Sequence, residues 1–174
     1  MRLNRDITVD VVKTLDKPKS LDLLSGTGAK GLRLAVEANS KVDLNDANPS
    51  AVKLIKRNAK LNKVSVEVFN DSANKLLRKS RRTYDFIDVD PFGTPVPFLQ
   101  ESIAHLRKGG ILGVTATDTS ALCGTYPKAC MRKYESLNRK TQMMFELGTR
   151  ILTKKVVAEG LNMGVALEPV FVHS

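Results

Sequence analysis

Three short stretches of this chain carry residue types that could do chemistry together. The first is Asp90-Pro91-Phe92-Gly93. A carboxylate and a backbone carbonyl, fixed by a proline turn, can accept the N–H bonds of an exocyclic nucleobase amine. Such a nitrogen attacks an electrophilic methyl poorly while its lone pair is delocalised into the ring. Acceptors on its N–H bonds raise its reactivity, and a following aromatic ring can stack on an extruded base. Taken alone, the same four residues also make an ordinary turn before a helix. The second stretch is Gly26-x-Gly28-x-x-Gly31, where glycines let a backbone approach a nucleotide-like ligand closely. The third is a set of polar strand ends: Asp46, 20 positions after Gly26, suits both hydroxyls of a ribose, and Asp71-Ser72 suits an adenine amino group.

These residues need a frame that brings them together. Glycine and proline punctuation divides the chain into short apolar runs alternating with helical patterns, an α/β rhythm without internal repeats. Strands are expected at 20–24, 41–46, 64–70, 85–90 and 111–117, with a last one at 163–172. Helices are expected from about 29 to 38, over 49–62 with Asn48 as cap and Pro49 first, and over 73–79. A further helix starts after Thr94-Pro95 and is closed by Lys108-Gly109-Gly110. Residues 121–138 read as irregular and partly helical, and 141–159 as a long amphipathic helix. Strand-helix repeats in series require parallel pairing with right-handed crossovers, hence a doubly wound, mostly parallel sheet. Such a sheet binds ligands at the carboxyl ends of its strands where the winding reverses. The first and fourth strands then lie side by side, and Gly26 to Gly31 shares a cleft with Asp90 to Gly93.

The glycines and Asp46 also fit a nicotinamide dinucleotide, whose pyrophosphate favours a helix N-terminus, whereas a sulfonium amino acid favours acids and backbone carbonyls. The end of the fourth strand favours the sulfonium. The chain also shows no apparent Tyr-x-x-x-Lys or His-Asp pairing of the kind a dehydrogenase uses. Composition narrows the classes further. The chain has 174 residues, 28 Lys and Arg against 18 Asp and Glu, a net charge of +10 and 42% apolar residues. That is one domain's length, with a balance that suits a polyanionic partner. No apolar run approaches the roughly 18 residues of a membrane span, and the first residues predict no secretory leader. Two cysteines, Cys123 and Cys130, and two histidines form no metal-ligand pattern, so no metal is expected and the thiols are read as packing residues.

The residues become recognisable in combination. Asp88-Val89-Asp90-Pro91-Phe92-Gly93-Thr94-Pro95, Gly110 to Asp118, and Leu122-Cys123-Gly124-x-Tyr126-Pro127-x-Ala129-Cys130-x-Arg132-Lys133-Tyr134 closely resemble the archaeal and eukaryotic tRNA guanine-26 N2-dimethyltransferases. Asn4-Arg5-Asp6 and Gly31-Leu32-Arg33 are similar to that family as well. The resemblance implies a Rossmann-like class I S-adenosylmethionine-dependent methyltransferase, S-adenosyl-L-methionine as cofactor, tRNA as partner and a cytoplasmic setting. It implies that Arg5, Arg33, Asp46, Asp71 and Ser72 line the cofactor site with Gly26 and Gly28. Asp90 becomes the catalytic acid on the guanine amine, with Phe92 beside it. Ser72 stands where the family leads one to expect alanine, although a backbone N–H contact to adenine survives that change.

The resemblance also implies that residues 1–174 are a catalytic domain lacking the family's longer N-terminal segment, its second domain and the last strand of the sheet. Rival readings are an amino-methyltransferase acting on adenine or cytosine, and a noncatalytic RNA-binding module. The Lys53, Lys56, Arg57, Lys60 stripe and the Arg78, Lys79, Arg81, Arg82 cluster are either solvated faces or phosphate contacts. Oligomeric state is not legible.

Overall fold

The computed structural model describes residues 2–173. The chain divides into two compact units, one of Met1–Asp90 with Ala104–Val114 and one of Pro91–Ile103 with Thr115–Ser174. The first holds a five-stranded sheet in the order β3-β2-β1-β4-β5, with β1 at Lys19–Asp22, β2 at Lys41–Asn45, β3 at Glu67–Phe69, β4 at Tyr84–Val89 and β5 at Leu106–Val114. Every pairing is parallel. The winding reverses between β1 and β4, so the doubly wound reading holds. Residues Phe86 to Val89 are all buried, the unbroken pattern of a central parallel strand covered on both faces.

The helices of this unit follow local signals. Helix α1 spans Arg2–Lys13, α2 Ala29–Glu37, α3 Pro49–Leu61 and α4 Ala73–Lys79. Helix α3 starts where Asn48 accepts the Ser50 N–H at 2.9 Å and Pro49 takes the first position. It buries Val52, Ile55 and Ala59 and leaves Lys53, Lys56, Arg57 and Lys60 in solvent. The core joins Val9 and Val12 of α1, Leu32 and Leu34 of α2, Val42 and Leu44 of β2, Ile55 and Phe86. Sequence patterning missed α1 entirely.

Three further expectations need correction. Gly109 and Gly110 do not close a helix: they lie inside β5, where the register jumps from Tyr84↔Leu106 to Phe86↔Ile111. Gly109 takes φ +78° at that irregularity, a conformation glycine tolerates without strain. The helix itself is short, a 3-10 turn at Val96–Phe98 followed by α5 at Leu99–Ala104, which leaves His105 beyond its end. Residues 165–173 form no strand. Val165, Val170, Phe171 and Val172 are exposed there, because alternation assigns a face but supplies no partner strand.

The second unit adds α6 at Thr119–Leu122, α7 at Pro127–Tyr134 and α8 at Met144–Asn162. Leu122, Cys130 and Tyr134 form its buried cluster with Ile151 and Leu152. Both cysteines are free and buried, as packing residues should be. Helix α8 differs from the expected amphipathic pattern. Phe145, Leu147 and Leu161 face solvent, while the buried side includes Lys155 and Glu159, paired at 2.9 Å, with Glu135 2.7 Å from the same ammonium. A buried charge of this kind is tolerated because it is fully paired.

Candidate active site

The carboxyl ends of β3, β2, β1 and β4 stand in one row, and each carries a residue singled out above. After β1 the chain turns through Ser25, whose N–H donates to Asn45 O at 2.8 Å, while the Asn45 N–H returns a bond to Ser25 Oγ at 3.1 Å. Gly26 follows at φ +56° with nothing within 4 Å of where a side chain would start, so this side of the turn is open to an approaching ligand. Gly28 and Gly31 face inward. A Cβ on Gly28 would lie 3.2 Å from Ile55 and Leu44, and one on Gly31 only 2.9 Å from Leu44.

Asp46 closes the turn from the end of β2. Its Oδ2 accepts the Gly26 N–H at 2.8 Å and its Oδ1 accepts the Asn48 N–H at 2.8 Å. Each oxygen keeps lone-pair capacity, and the side chain is half-exposed, which suits a vicinal diol. Asn45 links the next strand end: its amide donates to Asp71 O at 3.0 Å and accepts the Asp71 N–H at 3.2 Å. Asp71 pairs with Lys75 at 3.0 Å, which holds its carboxyl below the usual range. The Ser72 N–H already donates to Asp71 Oδ1 at 2.9 Å, so an adenine would have to compete for that donor.

At the end of β4 the structure reveals a group that motif reading overlooked. The Lys30 ammonium, at the start of α2, bonds both oxygens of Asp88 at 3.0 and 2.9 Å and Asp90 Oδ2 at 2.8 Å. The Lys30 side chain is only 8% exposed and Asp88 4%, whereas Asp90 reaches 22%. Asp22 completes the cluster, accepting the Gly31 N–H at 3.0 Å and lying opposite Asp88 in the β1–β4 register. Burial pushes Asp22 up to about 6 and Asp88 up to about 7, with the Lys30 charge opposing both. Burial alone would lower Lys30, but Asp88 and Asp90 outweigh it and keep its ammonium charged. The sequence held only half of the signal: an acid between Ile87 and Val89 in a buried strand must find a partner or stay protonated, but nothing there points to Lys30.

The family model described as N2,N2-dimethylguanosine tRNA methyltransferase matches residues 1–174. The chain belongs to this family. It is 44% identical over 174 residues to the tRNA (guanine(26)-N(2))-dimethyltransferase of Pyrobaculum islandicum, an alignment covering 98% of this chain and 49% of that protein. It is 40% identical over 185 residues to the tRNA (guanine(26)-N(2)/guanine(27)-N(2))-dimethyltransferase of Aquifex aeolicus, covering 100% of this chain and 47% of that one. Among solved structures, Trm1 from Pyrococcus horikoshii in complex with S-adenosyl-L-methionine superposes with a TM-score of 0.86 at 34% identity, over 96% of this chain and 50% of that one. The chain thus spans about half the length of the curated relatives it matches. The Rossmann-like methyltransferase fold is that of this family.

The other residues that family resemblance assigns to the site fall in varied surroundings. Arg33 is fixed on α2 by Glu37, through Nε at 2.5 Å and Nη2 at 3.0 Å, and by Asp6 of α1 at 2.6 Å. That pairing raises its pKa and makes it a brace between α1 and α2. Arg5 is half-buried on α1 beside Asp6. Arg82 leaves the proposed basic cluster, since it is held by Asp43 at 3.0 Å and Glu67 at 2.7 Å and stacks over Phe69.

In the second unit, the Phe92 side chain is wholly exposed. Its turn is fixed from behind: the Gly93 N–H donates to Thr117 Oγ1 at 2.6 Å and the Thr117 N–H to Gly93 O at 2.9 Å. Asp118 is in turn held by Tyr134 at 2.6 Å and Lys133 at 2.9 Å. Much of the recognisable sequence after β5 therefore braces the Phe92 turn. Among the described residues no group of His, Cys, Asp and Glu could hold a metal, and no helix is long and apolar enough to cross a membrane.

Proposed function

We propose that this chain moves methyl groups from S-adenosylmethionine to the exocyclic N2 of a guanine in tRNA, at position 26 and twice, in the cytoplasm. The observation that carries the reading is Asp90: one carboxylate oxygen is bound by Lys30, while Oδ1 has no protein partner among the described residues and the group reaches solvent. The residues present also suit the cofactor, with an open turn at Gly26 and spare acceptor capacity on Asp46. Family membership over the whole chain supports the substrate class.

When bound, S-adenosylmethionine supplies a methyl on a sulfonium, which departs as a neutral thioether. Asp46 accepts the ribose hydroxyls, and the backbone at Gly26 allows close approach. Asp90 Oδ1 accepts an N–H of the guanine amine, which localises the nitrogen lone pair towards the methyl carbon. As the N–C bond forms, the nitrogen becomes cationic, and its proton passes to Asp90 and on to water. A fixed carboxylate stabilises that developing charge more than it stabilises the neutral amine, so the gain falls in the transition state. Phe92, two residues along the chain and exposed, offers its ring for stacking. The experiment is incubation with labelled S-adenosylmethionine and bulk tRNA, digestion, and identification of the nucleoside. Labelled N2-methylated guanosine is expected. Label in adenosine or cytidine, or none above an Asp90→Ala control, would overturn the reading.

A further inference from the structure

We propose that Lys30 is the positioning residue of the methyl-accepting step: anchored on both oxygens of Asp88, its ammonium holds Asp90 Oδ2 and leaves Oδ1 aimed at the substrate amine. This deepens the reading above and rests on it. Four features carry it. Lys30 makes three bonds of 2.8 to 3.0 Å, using all the donors an ammonium has. The Lys30 and Asp88 side chains are 8% and 4% exposed, so they form a rigid anchor rather than a mobile surface pair. Asp90 is the only one of the three with substantial exposure, at 22%. Finally, Lys30 lies beside Gly31, whose N–H is fixed by Asp22, so the ammonium is placed by the glycine turn itself.

The chemistry requires such a device. A carboxylate that helps an amine react must accept an N–H; a protonated or rotated carboxyl would donate or point elsewhere. A neighbouring ammonium guards against rotation, because it ties one oxygen at 2.8 Å and leaves the other to accept. Lys30 touches no reacting atom and acts only through Asp90.

The test compares Lys30→Met and Lys30→Arg with the unaltered chain in three measurements: S-adenosylmethionine affinity, single-turnover transfer to tRNA at saturating cofactor, and a crystal structure. Lys30→Met should transfer about 10²-fold more slowly, the usual scale for losing a preorganised polar group, with cofactor affinity changed less than about threefold. Lys30→Arg, which keeps the charge, should recover most of that loss. In the Lys30→Met crystal structure the Asp90 carboxylate should leave the orientation it has here. If Lys30→Met does not fold, Asp88→Asn loosens the anchor conservatively and should slow transfer by about tenfold, again without weakening the cofactor. Normal transfer by either folded variant, or an unmoved Asp90 in its structure, would overturn the proposal. If the unaltered chain transfers no methyl, the guanine reading fails, and the crystal structures still decide whether Lys30 holds Asp90.

Discussion

Asp46→Ala separates the two tasks of that side chain, and the structure sets the size of each. The carboxylate accepts two backbone N–H groups, from Gly26 and Asn48, both at 2.8 Å and both near the surface. After truncation these donors return to water rather than being stranded, so each loss costs about 1 kcal/mol and the pair about 2 kcal/mol. For a chain of this length that corresponds to a fall of about 4 to 8 °C in melting temperature. Ligand binding should suffer more. Two charge-assisted bonds to a ribose, at about 1.5 kcal/mol each for a half-exposed acid, sum to about 3 kcal/mol, or roughly 10²-fold in affinity. Asp46→Asn keeps one oxygen acceptor and should fall between, near tenfold weaker. Calorimetric titration with S-adenosylmethionine, well below the melting transition of each variant, measures this directly. An affinity within about twofold of the unaltered chain, alongside the expected loss of stability, would show that Asp46 merely closes the glycine turn and holds no ribose.

Gly31→Ala should lower the urea midpoint by the equivalent of about 1 to 3 kcal/mol, because the new methyl would lie 2.9 Å from Leu44 Cδ2 and 3.0 Å from Asp22 Oδ2, both buried. An unchanged midpoint would mean the turn is looser than this packing implies. Phe92→Ala should leave the melting temperature and cofactor affinity alone, since the ring is wholly exposed, yet reduce kcat/KM on tRNA about ten- to a hundredfold by removing a stacking platform. Full activity would release Phe92 from the substrate site. The pH profile of stability follows from the buried acids. Between about pH 4 and pH 7 the folded chain keeps protons on Asp22 and Asp88 that the unfolded chain has released, so raising pH through that window lowers stability. Below it, loss of the charges on Asp71, Asp85 and Glu67, whose pKa values are lowered, acts the other way. The melting temperature should therefore be higher near pH 5 than near pH 8, and Asp22→Asn should flatten that decline; a profile rising from pH 5 to 8 would refute the burial argument.

What the sequence made legible was mostly local. Asn48-Pro49 announces α3 because capping and a fixed φ act within one turn, and the buried face of that helix follows from its spacing. The strand ends with Gly26, Asp46, Asp71 and Asp90 were legible because a glycine turn or an acid follows each strand-like run. Long-range partners were not. Helix α1 is amphipathic in its own right, yet the core that buries its Val9 and Val12 comes from α2, β2, α3 and β4, far along the chain. The expected strand at 163–172 failed for the same reason, since a strand is completed by its neighbour. Lys30 was invisible because a lysine between glycine-motif residues reads as a solvated side chain until two acids arrive from β4, 58 and 60 positions away.

Asp22 and Asp88 show how closely the fold and the site depend on one another. They are direct register partners on adjacent interior strands, both buried, where two carboxylates side by side resist ionising together. Lys30 is the countercharge that makes the pair tolerable. Side chains alternate between faces along a strand, so slipping β4 by one residue would carry Asp88 to the opposite face and leave Lys30 buried without it. The correct register is thus favoured by the same ammonium that holds Asp90. It follows that Asp90, just past the carboxyl end of β4, is oriented by strand pairing as well as by the turn at Pro91. A tetrapeptide of the same sequence at another strand end, without the paired acids and the lysine behind it, would have the residues of the site but not their alignment.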